Sequence, residues 1–247
     1  MNFFSLFKRK FLYKIKKKIN IDIDEIYKEN LDDLFYHYGS DKAETFRKNR
    51  SRGHGFSKFY ANHLGHLRKK EINILEIGSY AGASASAFVK FLPKSTVHCF
   101  DINISKFEYE SKNIKVYGLD INNEKILNET FKKIDIKKNQ NFFDLIIDDG
   151  SHYLSDILFS LKNFFKYLKK KGIYVIEDFK HPNYYKYNKD VDDIMVDQML
   201  DKLSKKEFFK SNIINAEEQK YLLSEIKKID IYKGNLKDSD ICFIEKI

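Results

Sequence analysis

Asp148-Asp149-Gly150-Ser151-His152 closes one apolar run, and Glu177-Asp178 closes another. Such runs are buried parallel strands, and right-handed helical crossovers deliver the carboxyl ends of successive parallel strands to one sheet edge. With neighbouring strands about 4.8 Å apart, Asp149, Glu177 and Asp178 are expected to share a site, with His152 beside it. Oxygen ligands in that number suit a hard divalent cation, and an imidazole there can accept a proton near neutral pH. Each residue also has a plainer reading: Asp148 as a helix-initiating or cofactor-facing carboxylate, Ser151 as an N-cap, His152 as a first-turn residue without chemical duty.

A second constellation lies upstream. The run Ile72–Glu76 leads into Glu76-Ile77-Gly78-Ser79-Tyr80-Ala81-Gly82, an acidic residue followed by glycines four apart at the opening of a helix. Glycine there permits a tight turn and close backbone approach to a ligand, but the pattern is not the GxGxxG of a pyrophosphate cradle. Glu76 places a carboxylate at the first crossover, Asp101 ends the next strand where a ribose hydroxyl pair would be held, and Asp120 follows the third strand, placed to contact an adenine edge. A carboxylate beside the loop favours a ligand carrying ammonium and sulfonium charge, which describes S-adenosylmethionine.

These residues need elements to hold them. Helical periodicity is expected over residues 21–38, ended by Gly39, and over 56–67. Short apolar strands then alternate with helices: strands at 72–76, 96–101, 114–119, 142–148 and 172–177, helices at 83–91, 124–134 and 154–168. The alternation specifies an α/β, doubly wound, Rossmann-like sheet with five parallel strands read directly. An amphipathic helix is expected over 191–209, and a terminal hairpin from Ile229–Tyr232 and Ile241–Ile244 about Gly234-Asn235. Residues 1–68 read as a helical extension and active-site cap, and 69–247 as the core.

The 247 residues suffice for one large domain, and the net charge of +9 comes mainly from scattered lysine. That balance fits an anionic small substrate better than nucleic acid, because no arginine-aromatic cluster accompanies it. Cys99 and Cys242 sit in apolar runs without metal spacing, which fits a reducing cytoplasm. Residues 1–19 form an amphipathic basic helix, too charged to span a bilayer and without a signal-peptide core. It either packs on the body or on a sister subunit in a homo-oligomer, or makes peripheral contact with an anionic membrane face or a partner.

The stretch 72–178 resembles class I S-adenosylmethionine-dependent methyltransferases. Gly39-Ser40-Asp41-Lys42, His54-Gly55-Phe56 with Tyr60, Asp148-Asp149-Gly150-Ser151-His152 and Glu177-Asp178 together resemble the metal-dependent sugar O-methyltransferases of the macrolide-sugar type. The resemblance implies a seven-stranded sheet with the last strand antiparallel, magnesium on Asp149, Glu177 and Asp178, and His152 as general base. Ser40, Lys42, Tyr60 and His54 then fold over the methionine end of the cofactor or over the substrate, with Gly78, Ser79, Tyr80, Gly82, Asp101, Asp120 and Asp148 around the rest of the cofactor. His181, in the loop after Asp178, is a further substrate-contact candidate.

The function expected is S-adenosylmethionine-dependent methylation of a sugar hydroxyl, on a nucleotide-linked sugar or a surface glycan precursor in polysaccharide biosynthesis. The alternatives are methylation of a phosphate-like group or non-sugar diol, and a non-catalytic scaffold of the same fold.

Overall fold

The computed structural model describes residues 3–26, 30–136, 141–185 and 191–247. Its central sheet contains β1 (Ile72–Ile77), β2 (Ser95–Asp101), β3 (Ile114–Gly118), β4 (Phe143–Asp148), β5 (Leu168–Ile176), β6 (Ile226–Lys233) and β7 (Asp240–Lys246). The spatial order is β6-β7-β5-β4-β1-β2-β3, with β1 to β5 parallel and β7 antiparallel to both β5 and β6. The helices are α1 (Phe3–Ile15), α2 (Leu31–Tyr38), α3 (Ser57–Leu64), α4 (Ala83–Phe91), α5 (Glu124–Lys133), α6 (Leu154–Phe164), α7 (His181–Tyr184), α8 (Val196–Ser204) and α9 (Ala216–Glu225).

Both sheet faces are covered, so the central strands read as continuous apolar runs. Side chains alternate across the sheet. Ile72 and Ile74 of β1 join Val97, Cys99, Leu145 and Ile147 in one cluster with α2, α3 and α4. Leu75 and Ile77 face the other way, into a cluster with Leu158, Leu161, Met199 and Leu203. Leu31, Leu34, Phe35, Tyr60 and Leu64 share the first cluster, so the segment before β1 is part of the body's packing.

Several expected boundaries shift. Of the helix expected over 21–38, α2 accounts for Leu31–Tyr38; Ile21–Ile26 is irregular and residues 27–29 lie outside the described residues. Gly39 ends α2 in the left-handed conformation (φ 78), as its position after the last apolar residue implies. The helix expected over 191–209 is confined to α8. A further helix, α9, was not expected, although Asn215 and Glu218 form a capping box at its start.

His98 shows how burial tunes a group away from the site. Its ring is 5% exposed, stacked on Tyr117 at 6.1 Å and met edge-on by Phe142 and Phe143. Burial, with Lys115 adding to it, pushes its pKa from 6.5 down to about 4. Between those values the unfolded chain holds a proton that the folded chain refuses, so stability is full above about 6.5 and declines as pH falls toward 4. The decline attributable to this group is about 3 kcal/mol in all, at about 1.4 kcal/mol for each pH unit between the two values. Denaturant unfolding of His98→Phe at stepped pH should show a flatter acid limb than wild type; equal limbs would contradict the assignment.

Candidate active site

The glycine loop is locked to the ends of three strands. Gly78 N–H donates to Phe100 O at 2.8 Å, and Asp149 N–H donates to Ile77 O at 3.0 Å. Gly78 has φ +87, and a Cβ there would lie 1.9 Å from Asp149 O, so only glycine allows β1 and β4 to approach this closely. Tyr80 N–H donates to Asp101 Oδ2 at 2.7 Å, tying the loop to the end of β2.

Glu76 is fully buried behind that loop. One of its oxygens accepts from the Ser84 hydroxyl, and Oε2 has no hydrogen-bond partner among the described residues. Burial pushes its pKa up, opposed by the Lys42 charge and the Ser84 hydrogen bond. An orphaned buried carboxylate oxygen beside a glycine turn fits a cationic ligand and would repel a phosphate.

The loop opens onto a cleft of about 1130 Å³ whose walls include Ser40, Lys42, Gly78, Ser79, Tyr80, Asp101, Ser84 and Asp149. A smaller pocket of about 190 Å³ adjoins it, lined by Ile77, Phe100, Asp101, Leu119, Asp120, Asp148 and Ile157. Gly78, Asp101 and Gly150 line both, which places Asp101 at their junction. A small, mainly apolar slot edged by carboxylates on one side and a larger cleft lined by charged groups on the other suit a ligand with an aromatic base and a charged tail. Burial lifts the pKa of Asp148, at the back of the slot, to about 7 against hydrogen bonds from Ser160 and the Gly150 N–H.

At the ends of β4 and β5 the acidic residues converge. Asp149, His152 and Asp178 each offer a ligand atom, all within 4.8 Å of one another. His152 Nε2 lies 3.6 Å from Asp149 Oδ1 and 4.0 Å from Asp178 Oδ2. His152 (φ 57) and Asp178 (φ 50) both take the left-handed conformation, which costs of order 1 kcal/mol each and is retained where a site requires it. Two carboxylates and an imidazole in this compass fit a divalent cation.

Glu177 differs from the expectation. Its carboxylate is 2% exposed and turned inward, accepting from Lys42 Nζ at 2.6 Å and from the Tyr60 hydroxyl. Lys42 Nζ also pairs with Asp149, so one buried ammonium bridges the two carboxylates. Burial opposes the charge of Lys42, but Asp149 and then Glu177 hold its pKa well above the usual lysine value. Of the three carboxylates expected on one ion, the structure groups Asp149 and Asp178 with His152 and sets Glu177 one layer behind.

The remaining expected residues divide in two. Ser40, Lys42, Gly78, Ser79, Tyr80, Asp101, Asp120 and Asp148 line the two pockets. Tyr60 does not: its ring is buried against Phe35, Phe88 and Phe243, and its hydroxyl holds Glu177. Gly82 packs against the Phe107 ring at the start of α4 (φ +80), and Glu76 sits behind the wall. His54 Nδ1 lies 3.3 Å from Asp178 Oδ1 and 2.8 Å from the Ser239 hydroxyl, on a loop clasped by the β6–β7 turn through Asn235 N–H to His54 O at 2.8 Å. Burial opposes protonation of His54, yet the Asp178 hydrogen bond and charge, with Asp41 and Glu177 behind, push its pKa up to about 9. His181 stands 5.3 Å from the His152 ring and stacks on Tyr185 at 4.0 Å.

Sequence reasoning missed Ser84, which donates to one oxygen of Glu76, and Ser239, which steadies His54. It also missed Arg47 and Lys48 on the cleft wall, although the run from Arg47 to Arg52 has four basic residues in six.

Residues 75–179 match a family described as a methyltransferase domain. The chain is 28% identical over 132 residues to mycinamicin VI 2''-O-methyltransferase of Micromonospora griseorubida, covering 51% of this chain and 31% of that protein. It is 29% identical over 132 residues to demethylmacrocin O-methyltransferase of Streptomyces fradiae, covering 51% and 32%. The matched stretch thus spans about a third of these relatives. Among solved structures, the MycE methyltransferase of the mycinamycin biosynthetic pathway, in complex with Mg, SAH and mycinamycin VI, superposes with a TM-score of 0.65. That match has 20% identity and covers 89% of this chain and 55% of the other, which is a likeness of fold. Residues 75–179 thus match a methyltransferase domain, and the chain shares its fold with the MycE methyltransferase.

Proposed function

We propose that this chain is an S-adenosylmethionine-dependent O-methyltransferase that methylates a sugar hydroxyl with the help of magnesium. The observation that carries the reading is the convergence of Asp149, His152 and Asp178 on one another, with Asp149 on the wall of the cleft opened by Gly78 and His152 on that of the adjoining slot. When bound, S-adenosylmethionine supplies a methyl group on a positively charged sulfur, and magnesium supplies positive charge where the acceptor oxygen becomes negative. Asp149 and Asp178 would hold the ion, while Glu76, Asp101 and Asp120 would orient the cofactor in the cleft and slot.

A sugar hydroxyl is a weak nucleophile at neutral pH, so the protein's task is to remove its proton as the carbon–oxygen bond forms. His152 takes that proton at Nε2, the nitrogen that faces Asp149 and Asp178. Lys42, Tyr60 and His54 keep the surrounding carboxylates in place and partly neutralised. The acceptor is a nucleotide-linked sugar or a glycan precursor bearing phosphate. Lys16, Arg47, Lys48 and Lys106 line the cleft together with Asp41 and Glu108, and the four cations give an anionic group somewhere to sit.

Incubation with methyl-labelled S-adenosylmethionine, magnesium and a panel of nucleotide sugars and neutral sugars tests the reading. Label should appear on a sugar hydroxyl and disappear on chelation. Label on a phosphate-like group, or none with any acceptor, would overturn it.

A further inference from the structure

Helix α1 is apolar on two faces, and among the described residues only one of them packs on the body of this protein. Leu6 is buried, and Tyr13 meets the Phe107 ring edge-on at 6.3 Å. Arg9 Nη1 donates to Ile102 O at 2.9 Å and Lys16 Nζ to Lys106 O at 3.0 Å, fixing the helix on the loop after β2. On the other face stand Phe7, Phe11 and Ile15, four residues apart and 64%, 55% and 64% exposed. Ile19 at 58% exposure prolongs the apolar surface beyond the helix.

Four large apolar side chains in water mark a contact surface, and the charges around them say of what kind. Residues 8–18 contain Lys8, Arg9, Lys10, Lys14, Lys16, Lys17 and Lys18, and the first acidic residue of the chain is Asp22. With about 3.6 residues per turn, Lys8 and Lys14 fall on either side of the Phe7-Phe11-Ile15 stripe, and both are exposed. We propose that α1 docks this protein on an anionic lipid bilayer, seating Phe7, Phe11 and Ile15 below the headgroups while the flanking lysines meet lipid phosphates.

The bilayer answers both halves of the surface at once. An amphipathic helix with a basic polar face lies in the plane of the interface, its apolar side among the acyl chains, and the anionic leaflet adds attraction for each lysine. A second copy of α1 would cover the apolar stripe but bring two lysine sets together, with no acidic residue in either segment to answer them. A polyanion such as nucleic acid would answer the lysines and leave the phenylalanines in water. The inference is independent of the acceptor and of the metal site.

The test is flotation of the full chain with vesicles of phosphatidylcholine alone and of phosphatidylcholine with phosphatidylglycerol. The protein should float with the anionic vesicles only, and added salt should weaken it. The double variant F7S/F11S should lose at least about tenfold in vesicle partitioning, from the transfer energy of two phenylalanine side chains. Its melting temperature should not move, because both side chains are exposed. Lys8→Glu with Lys14→Glu should lose binding in the same assay. No flotation with anionic vesicles, or equal flotation of wild type and F7S/F11S, would overturn the proposal. So would a dimer without flotation that F7S/F11S dissociates, since α1 would then be a self-association surface.

Discussion

His152→Ala should lower turnover by about a hundred- to ten-thousand-fold, the usual contribution of a positioned general base, while S-adenosylmethionine and magnesium affinities stay within about twofold of wild type. The split between those readouts matters because His152 Nε2 is close enough to Asp149 and Asp178 to serve either as base or as third ligand. A base removes a proton and leaves ion affinity to the carboxylates. A ligand would take magnesium affinity down with it. Asp149→Ala should show the complementary pattern, with magnesium binding lost and cofactor binding retained, since Asp149 is the carboxylate that faces the cleft, the imidazole and Lys42 together. Unchanged turnover in His152→Ala would remove it as base.

Lys42→Met should destabilise the fold by about 3–5 kcal/mol, the range for leaving a buried charge without its partner. Lys42 is 2% exposed and the Glu177 carboxylate it pairs with is equally buried, so solvent cannot replace the ammonium. Burial and the Asp149 charge already push the Glu177 pKa up with the lysine in place, and without it both carboxylates face each other unneutralised. For a chain of this size the loss amounts to a melting temperature lower by roughly 10 °C. Magnesium should restore part of it, and should raise the melting temperature of Lys42→Met more than that of wild type, because the ion supplies the positive charge that the lysine no longer does. A loss below about 1 kcal/mol would show that the bridge is not what holds Glu177.

The gathering of residues at the strand ends was legible because it is local. Each strand-ending cluster, from Glu76 through Gly82 and from Asp148 through His152, lies within one turn, and strand periodicity alone brings the ends together. The roles of Lys42 and Tyr60 were not legible. The resemblance implies cofactor or substrate contact for both, whereas Tyr60 holds Glu177 from within the core and Lys42, although it lines the cleft, bridges Glu177 to Asp149. Nothing in the spacing of residues 42 and 60 records a partner at 177, since the contact is made only where Tyr60 of α3 and Lys42 of the loop before it reach the residue that follows β5. The boundaries of α2 and α8 were overdrawn for a related reason: apolar residues recur beyond the helices where irregular segments also bury side chains, as Ile21 does. α9 was missed although its capping pair is present, because the mixture of Tyr221, Leu222 and Leu223 with charged neighbours gives it little amphipathic contrast.

Isothermal titration of the whole chain tests the central claim most directly: S-adenosylmethionine with magnesium and after chelation, then magnesium into wild type and Asp149→Ala. The account predicts cofactor binding under each condition, together with magnesium bound by wild type and lost in Asp149→Ala. Absence of cofactor binding throughout, or magnesium binding unchanged in Asp149→Ala, would contradict it.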